Sequence, residues 1–300
     1  MQLYDVIIIG GGPAGLNAAI VLGRCRRKVL LFDHKQQRNI RSHGMHNYLT
    51  RDDVTPTVFL DIAGKEVKKY GVSIKHIAIK NASKKHKSHF TVTDNNRKVY
   101  HSKKLILAIG LKDKLPEIPG AEDIYGTSMF HCPYCDGWEV SDKKIAVYSK
   151  NKGGYELALT LTRWSNNITL FTDGIKTLRQ ADKNILKKKN ITLVTDPIHS
   201  FEGKNGKLKN VILKNGVMYA ADALFFSNGY TVQCGLVESL GCTIDKQSVA
   251  ITNKSQQTNI KGLYVAGDAS KDMHFVVVAA AEGAKSGVYV NKELMSEENG

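Results

Sequence analysis

An α/β fold made of two strand–turn–helix–strand units is what this 300-residue sequence predicts, on three observations. The apolar run Tyr4 to Ile9 enters Gly10-Gly11-Gly12-Pro13-Ala14-Gly15, a helix pattern follows from Leu16 to about Arg24, and a second run, Lys28 to Phe32, ends on Asp33. The same order recurs later, with a strand over Lys144 to Tyr148, a helix over Tyr155 to Arg163 and a strand over Ile168 to Phe171. Two further apolar runs, Lys104 to Ile109 and Gly262 to Ala266, close on Gly110 and Gly267. Short apolar runs of this kind read as strands buried on both faces, which belong to parallel sheets covered by helices.

The first turn has the pattern G-x-G-x-x-G. Gly10 makes the tight turn, Gly12 lets backbone approach a pyrophosphate, and Gly15 lets the helix pack on the strand. Asp33, eighteen residues after Gly15, stands where an acid accepts hydrogen bonds from a ribose. An ordinary glycine turn would explain the loop but not the acid, so this unit reads as a Rossmann-like dinucleotide-binding domain. The second turn is Ser149-Lys150-Asn151-Lys152-Gly153-Gly154. With the helix register kept, Ser149 and Asn151 replace the first two glycines and only Gly154 survives. A Cβ at the second position obstructs the pyrophosphate, and Thr172-Asp173-Gly174 offers no arginine for a 2′-phosphate. The second unit therefore reads as Rossmann-like in fold with a degraded nicotinamide-cofactor site.

Between these landmarks, Arg41 to Asp53 is irregular and contains Asn47, and Thr57 to Tyr70 has apolar residues at helical spacing until Gly71 stops it. Strands are expected over Val72 to Ile79, Phe90 to Thr93 and Lys98 to His101, the last two joined by an Asp94-Asn95-Asn96 hairpin. Leu115 to Gly120, with two prolines, marks a boundary. A helix over Lys183 to Lys188 and strands over Ile191 to Val194, Lys207 to Lys214 and Ala223 to Ser227 follow. Asn228-Gly229-Tyr230 turns the chain back, and Val276 to Tyr289 reads as an apolar helix.

No basic n-region precedes the first apolar run, and no stretch is long and apolar enough to span a bilayer, so a soluble cytoplasmic protein without membrane contact is expected. The net charge of +15 raises nucleic acid as a partner. The lysines fall in turn-like clusters such as Lys84-Lys85-His86-Lys87, without interleaved aromatics, so a solvated surface is the reading; an acidic partner protein stays open.

Five cysteines do not form a secreted disulfide framework, and Cys132 and Cys135 lack a second ligand pair for zinc. Cys25, Cys234 and Cys242 read as buried small residues. His131-Cys132-Pro133-Tyr134-Cys135-Asp136-Gly137 is different: two thiols two residues apart can open and close a disulfide. A cysteine near a helix start has more thiolate at neutral pH, Pro133 stiffens the turn, and Asp136 can carry protons if burial raises its pKa. A helix cap is the alternative for Asp136, and His131 is the second choice as proton carrier.

Gly10 to Gly15, Ala108-Ile109-Gly110, Cys132 to Gly137 and Gly262 to Asp268 occur in the order found in the low-molecular-weight thioredoxin reductases, and the chain resembles that family over nearly its whole length. The resemblance implies a discontinuous FAD-binding domain, 1–117 and 231–300, with an NAD(P)-binding-like domain, 118–230, inserted in it and carrying the cysteine pair. It also implies a homodimer. Carried over residue by residue, it assigns Gly10, Gly12, Ala14 and Gly15 to the FAD pyrophosphate, Asp33 to the adenosine ribose, and Asn47 and Gly110 to the surroundings of the flavin. Gly267-Asp268 falls at the ribityl or phosphate end, with an N-cap as the alternative for Asp268, and Val277 presents its N–H to the ring. Cys135 faces the flavin, Cys132 exchanges with substrate, and Asp136 manages the thiolate proton.

The chain departs from the reductases in its second glycine turn, in lacking an arginine segment after Phe171, in Pro133-Tyr134, and in Phe275-Val276. These features resemble the branch with small-molecule dithiol oxidases of the gliotoxin and holomycin type and make NADPH a doubtful cofactor. The expected activity is therefore FAD-dependent oxidation of a small dithiol. The alternatives are reduction of a thioredoxin-like protein driven by NADPH or a protein donor such as ferredoxin, and a non-enzymatic flavin-bound redox sensor.

Overall fold

The computed structural model describes residues 2–85, 89–175, 178–233, 235–270 and 273–300. Cys234 and the His86-Lys87 end of the lysine cluster lie outside the described residues. The chain opens with strand β1 (Leu3–Ile9), helix α1 (Pro13–Arg24) and strand β2 (Val29–Phe32). Pro13 sits at the start of α1, where its missing N–H costs nothing and its fixed φ suits a helix. Helix α2 (Pro56–Lys68) is capped by the Thr55 hydroxyl, which accepts the Val58 N–H at 3.4 Å. Strands β3 (Ser73–Lys75), β4 (Ile79–Lys85), β5 (His89–Asp94) and β6 (Val99–Leu107) follow.

Two sequence expectations change here. Lys98 to His101 and Lys104 to Ile109 belong mainly to one strand, β6, because Ser102 and Lys104 are buried within it. Their polarity breaks the apolar pattern, and Lys104 is accommodated by Glu293 and Glu297, each 2.7 Å from its Nζ. The strand expected over Val72 to Ile79 is instead the short β3, and Ile79 opens a separate strand, β4. Its sequence, Ile79-Lys80-Asn81-Ala82-Ser83-Lys84-Lys85, was hidden by its lysines, which suit an edge strand that must not recruit another chain.

Strand β7 (Leu111–Asp113) leads to helix α3 (Ala121–Ile124), strand β8 (Met129–Phe130), helix α4 (Pro133–Asp136) and a 3₁₀ turn over Trp138–Val140. Next come β9 (Ile145–Tyr148), α5 (Gly153–Leu161), β10 (Ile168–Phe171), α6 (Gln180–Lys188) and β11 (Thr192–Val194). An antiparallel meander of β12 (Ile198–Lys204), β13 (Lys207–Leu213) and β14 (Met218–Ala220) precedes β15 (Ala223–Phe226). The chain ends with β16 (Tyr230–Val232), α7 (Leu236–Ser239), β17 (Leu263–Val265) and α8 (Val276–Asn299), the last running ten residues beyond Tyr289.

The contacts divide the chain into two compact units: Met1–Ile40, Asn47–Lys112 and Thr231–Gly300 form the first, Arg41–His46 and Asp113–Tyr230 the second. The first unit holds a sheet in the order β3-β2-β1-β6-β5-β4, with β17 also paired to β6. Its β1, β2, β3, β6 and β17 pairings are parallel, and β4 and β5 are antiparallel. Val6 and Ile8 face one apolar cluster, Ile7 and Ile9 the other, so both faces are covered. Helix α8 lies against α1 so closely that a Cβ on Gly283 would fall 2.0 Å from the Ala14 carbonyl oxygen. The second unit holds a parallel sheet in the order β11-β10-β9-β15-β8. Among the described residues no helix is long and apolar enough to cross a membrane. Cys242 is buried, but Cys25 is exposed, because it follows the last turn of α1 as its C-cap.

Candidate functional site

In the first unit β1 pairs with β2 on one side and β6 on the other, so the chain ends leaving β1 and β6 diverge, and ligands of open α/β sheets bind at such a point. The lips of this crevice are glycine, for two different reasons. Gly10 has φ +111°, and a Cβ there would sit 2.0 Å from the Ala108 oxygen; one on Gly15 would sit 1.8 Å from the Gly10 oxygen. Those two glycines are required by the protein's own packing. A Cβ on Gly12, or on Gly110 (φ +66°), would meet nothing within 4 Å. Gly12 also caps α1 without a side-chain hydrogen bond, leaving space before helix N–H groups that suits a phosphate.

Asp33 follows β2. Its Oδ1 accepts the Lys35 N–H and the Gln37 amide, both at 2.9 Å, and its Oδ2 lies 3.9 Å from His76 Nδ1. Ala14 is buried, wedged between Gly267 and Gly283, which gives it a packing role beside the one assigned by resemblance. Gly267 (φ +79°) donates its N–H to Glu282 Oε2 at 2.9 Å, and the Ser270 hydroxyl donates to the same oxygen. Asp268 opens a 3₁₀ turn with Oδ2 3.5 Å from Arg38 Nη1. Val277, in the first turn of α8, is 40% exposed, and Asn47 is an exposed left-handed residue whose N–H is held by Asp52. All ten residues assigned to the cofactor thus fall in this one unit.

Sequence reasoning missed three neighbours. Gly11 must lack a Cβ because one would lie 2.5 Å from Asp33 Cβ, a clash hinted at by the third glycine in the run. Glu282 is a buried acid among alanines and glycines, a visible signal, whereas nothing local marked Arg38.

The second unit carries the redox turn. Cys132 and Cys135 form a disulfide with Cα atoms 5.3 Å apart. Cys132 is the N-cap of α4, and its Sγ accepts the Cys135 N–H at 3.1 Å. The same N–H stabilises a thiolate at Cys132 once the pair is reduced. Asp136 closes α4; burial, and then the Glu139 carboxylate, push its pKa up to about 7. Gly137 admits the Trp164 ring, which a Cβ would meet at 2.8 Å, and Tyr134 packs edge-on to Trp164 with centroids 5.7 Å apart. His131 Nδ1 lies 3.5 Å from Asp113, which also accepts the Tyr125 hydroxyl at 2.6 Å.

The corresponding crevice of the second unit lies between the ends of β9 and β15, and there side chains bridge it. Ser149 is 1% exposed; its Oγ accepts the Asn151 N–H at 3.2 Å and lies 3.2 Å from the Ser227 carbonyl beyond β15. Asn151 donates its amide to the same carbonyl at 3.1 Å, and its Oδ1 accepts the Gly153 N–H at 2.8 Å. An amide oxygen thus sits at the start of α5. Asp173, the acid after β10, is bound by Lys150 at 2.9 Å, by the Ile198 N–H at 2.8 Å and by the Tyr148 hydroxyl at 3.3 Å. Burial favours its neutral form, but these donors outweigh it and hold its pKa below the usual range.

A sheet crevice lined by glycine, together with a disulfide on a capped turn, defines a disulfide oxidoreductase of the nucleotide-binding kind. Residues 4–283 match the model of the pyridine nucleotide-disulphide oxidoreductases, and the chain belongs to that family. It is 29% identical to the thioredoxin reductase aclD of Aspergillus oryzae, covering 99% of this chain and 98% of that one. A thioredoxin reductase of Bacillus subtilis is 27% identical over 94% of this chain and 92% of its own. TrxB of Bacillus anthracis, solved as a thioredoxin reductase candidate, superposes with a TM-score of 0.94 at 30% identity, covering 98% of this chain and 99% of that one. The chain is therefore a thioredoxin reductase-like oxidoreductase acting on sulfur groups, in a family whose thioredoxin reductases bind FAD.

Proposed function

We propose that this protein is an FAD-dependent dithiol oxidase that takes no electrons from NADPH. The observation that carries this reading is the bridge of Ser149 and Asn151 to Ser227, polar groups of the protein that would compete with a nicotinamide dinucleotide for the lip of that crevice. The residues of the first unit fit FAD: Gly12 and Gly110 leave open space where a Cβ would intrude, and Asp33 and Asp268 offer carboxylates to hydroxyls. Gly10 and Gly15 shape that loop, and Val277 and Asn47 would lie toward the ring. When bound, FAD supplies a two-electron acceptor for the reduced cysteine pair.

The exchange chemistry belongs to the chain. A substrate thiolate attacks Cys132 Sγ, the Cys132–Cys135 bond breaks, and Cys135 leaves as a thiolate. The second substrate thiol then attacks the substrate sulfur of the mixed disulfide and expels Cys132, whose thiolate accepts the Cys135 N–H. The substrate gains an S–S bond and loses two electrons and two protons; the cysteine pair gains the electrons. Asp136, titrating near neutral pH, can take or return a proton at this turn. Family likeness supports a homodimer and a cytoplasmic location. The names of the relatives favour the second reading, reduction of a thioredoxin-like protein.

Anaerobic mixing decides between them. With NADPH the flavin band is expected to persist, and with a small dithiol it is expected to bleach; rapid bleaching by NADPH would establish the reductase reading instead.

A further inference from the structure

The segment Arg41–His46 packs within the second unit, and it brings a histidine to the redox turn. Arg41 donates to the Glu122 carbonyl at 2.9 Å, and Gly126 must lack a Cβ because one would lie 2.9 Å from Arg41 Cβ. Five residues further, His46 Nε2 lies 3.5 Å from Glu139 Oε1, with the His46 side chain 15% exposed. Glu139 stands three residues after Asp136, in the 3₁₀ turn that continues α4. We propose that His46 and Glu139 are positioning residues for thiol–disulfide exchange, their charge pair setting how readily Asp136 holds the exchanged proton. The inference rests on the reading of Asp136 as the proton carrier of the turn.

Electrostatics gives the pair opposite effects. The Glu139 carboxylate repels charge on Asp136 and is the second cause, after burial, of its raised pKa. A cationic His46 screens that repulsion. The other charged groups around the turn have different partners: Lys143 donates to the Glu139 backbone carbonyl at 3.0 Å, and His131 faces Asp113. Helix α5, packed on α4, contributes Glu156, and Arg163 follows it; of all these groups Glu139 alone shifts Asp136, so His46 acts through its contact with Glu139.

The test uses the full-length flavoprotein and dithiothreitol. The rate of opening of the Cys132–Cys135 disulfide is followed by rapid acid quench, alkylation and mass counting of thiols. It is divided by the dithiothreitol thiolate concentration and plotted against pH. Glu139→Gln is expected to move the midpoint of the Asp136 step to lower pH and His46→Gln to higher pH, each by roughly half a unit or more. A generally loosened turn would not produce shifts of opposite sign. A midpoint unmoved by both variants, or moved the same way by both, overturns the proposal. Asp136→Asn is run in parallel: a step that survives it overturns the role of Asp136 and this inference together. A step lost in Asp136→Asn but unmoved by the other two removes this inference alone.

Discussion

The two crevices follow one plan and differ at their lips. In the first unit a Cβ on Gly12 or Gly110 would enter open space. In the second, Ser149 and Asn151 reach Ser227 and the first N–H of α5 from within. The sheet around each is buried, so the difference lies in the side chains at the lips and not in the scaffold. In the second unit's turn the Asn151 and Gly153 N–H groups are already bonded within the loop, where the first unit presents open space.

The sharpest way to test the first half of the contrast is to add one carbon atom at each of two glycines. Gly10→Ala places a Cβ 2.0 Å from a backbone oxygen at φ +111°, and a loss of about 3 kcal/mol or more, or failure to fold, is expected in urea titration. Gly12→Val fills empty space from an extended backbone, so stability of the FAD-free protein should change by less than about 1 kcal/mol. Its FAD affinity, measured by fluorescence titration, should fall by about 100-fold, or roughly 2.7 kcal/mol. Equal FAD affinity in Gly12→Val and the parent chain would remove Gly12 from the cofactor site.

Much of this contrast was legible in the sequence because glycine spacing is local. The loss of two glycines at Ser149 and Asn151 could be read directly; their partner Ser227, 78 residues from Ser149, could not. The parallel strands were visible as apolar runs, while β4, the continuity of β6 and the meander strands β12 and β14 were masked by polar residues whose burial or edge position only tertiary pairing reveals. At the site, the cysteine pair and Asp136 stood out by type and spacing. Arg38 reaches Asp268 across 230 residues, and Glu282 anchors Gly267 from the far helix, contacts with no local periodicity. Cys25 shows the converse: residue type suggested burial, but its position at a helix end exposes it.

The second unit also differs from the first in carrying a proton site at its redox turn, and Asp136→Asn tests it. A carboxyl whose pKa rises from 3.8 unfolded to about 7 folded binds more protons in the folded state between those values. Its stabilising contribution is complete below the lower value and is lost as pH climbs through the upper one. Partial exposure reduces the effect to roughly 2 kcal/mol. The parent chain should therefore lose stability relative to Asp136→Asn on going from about pH 4 to pH 8. A stability difference that is flat with pH would show that the carboxyl titrates normally.

The smallest expected effect bears most directly on the comparison. Replacing Ser149 and Asn151 together by glycine removes the bridge to Ser227 and frees the Gly153 N–H at the start of α5. Solvent can reach Asn151 and the helix start, so the loss of hydrogen bonds should cost only about 1–2 kcal/mol. In return the lip becomes glycine at both fingerprint positions, as in the first unit. NADH is the dinucleotide to try first. Asp173, held ionised by its donors, can accept from a ribose diol but repels a 2′-phosphate. Quenching of NADH fluorescence is expected with the double variant and not with the parent chain, and NADPH should bind more weakly than NADH. Substituting Lys150 by alanine as well should strengthen NADH binding, because it releases the acid that Lys150 occupies. If the glycine variant folds and binds neither dinucleotide, then something other than the Ser149–Asn151–Ser227 bridge closes this crevice, and the analogy between the two lips fails.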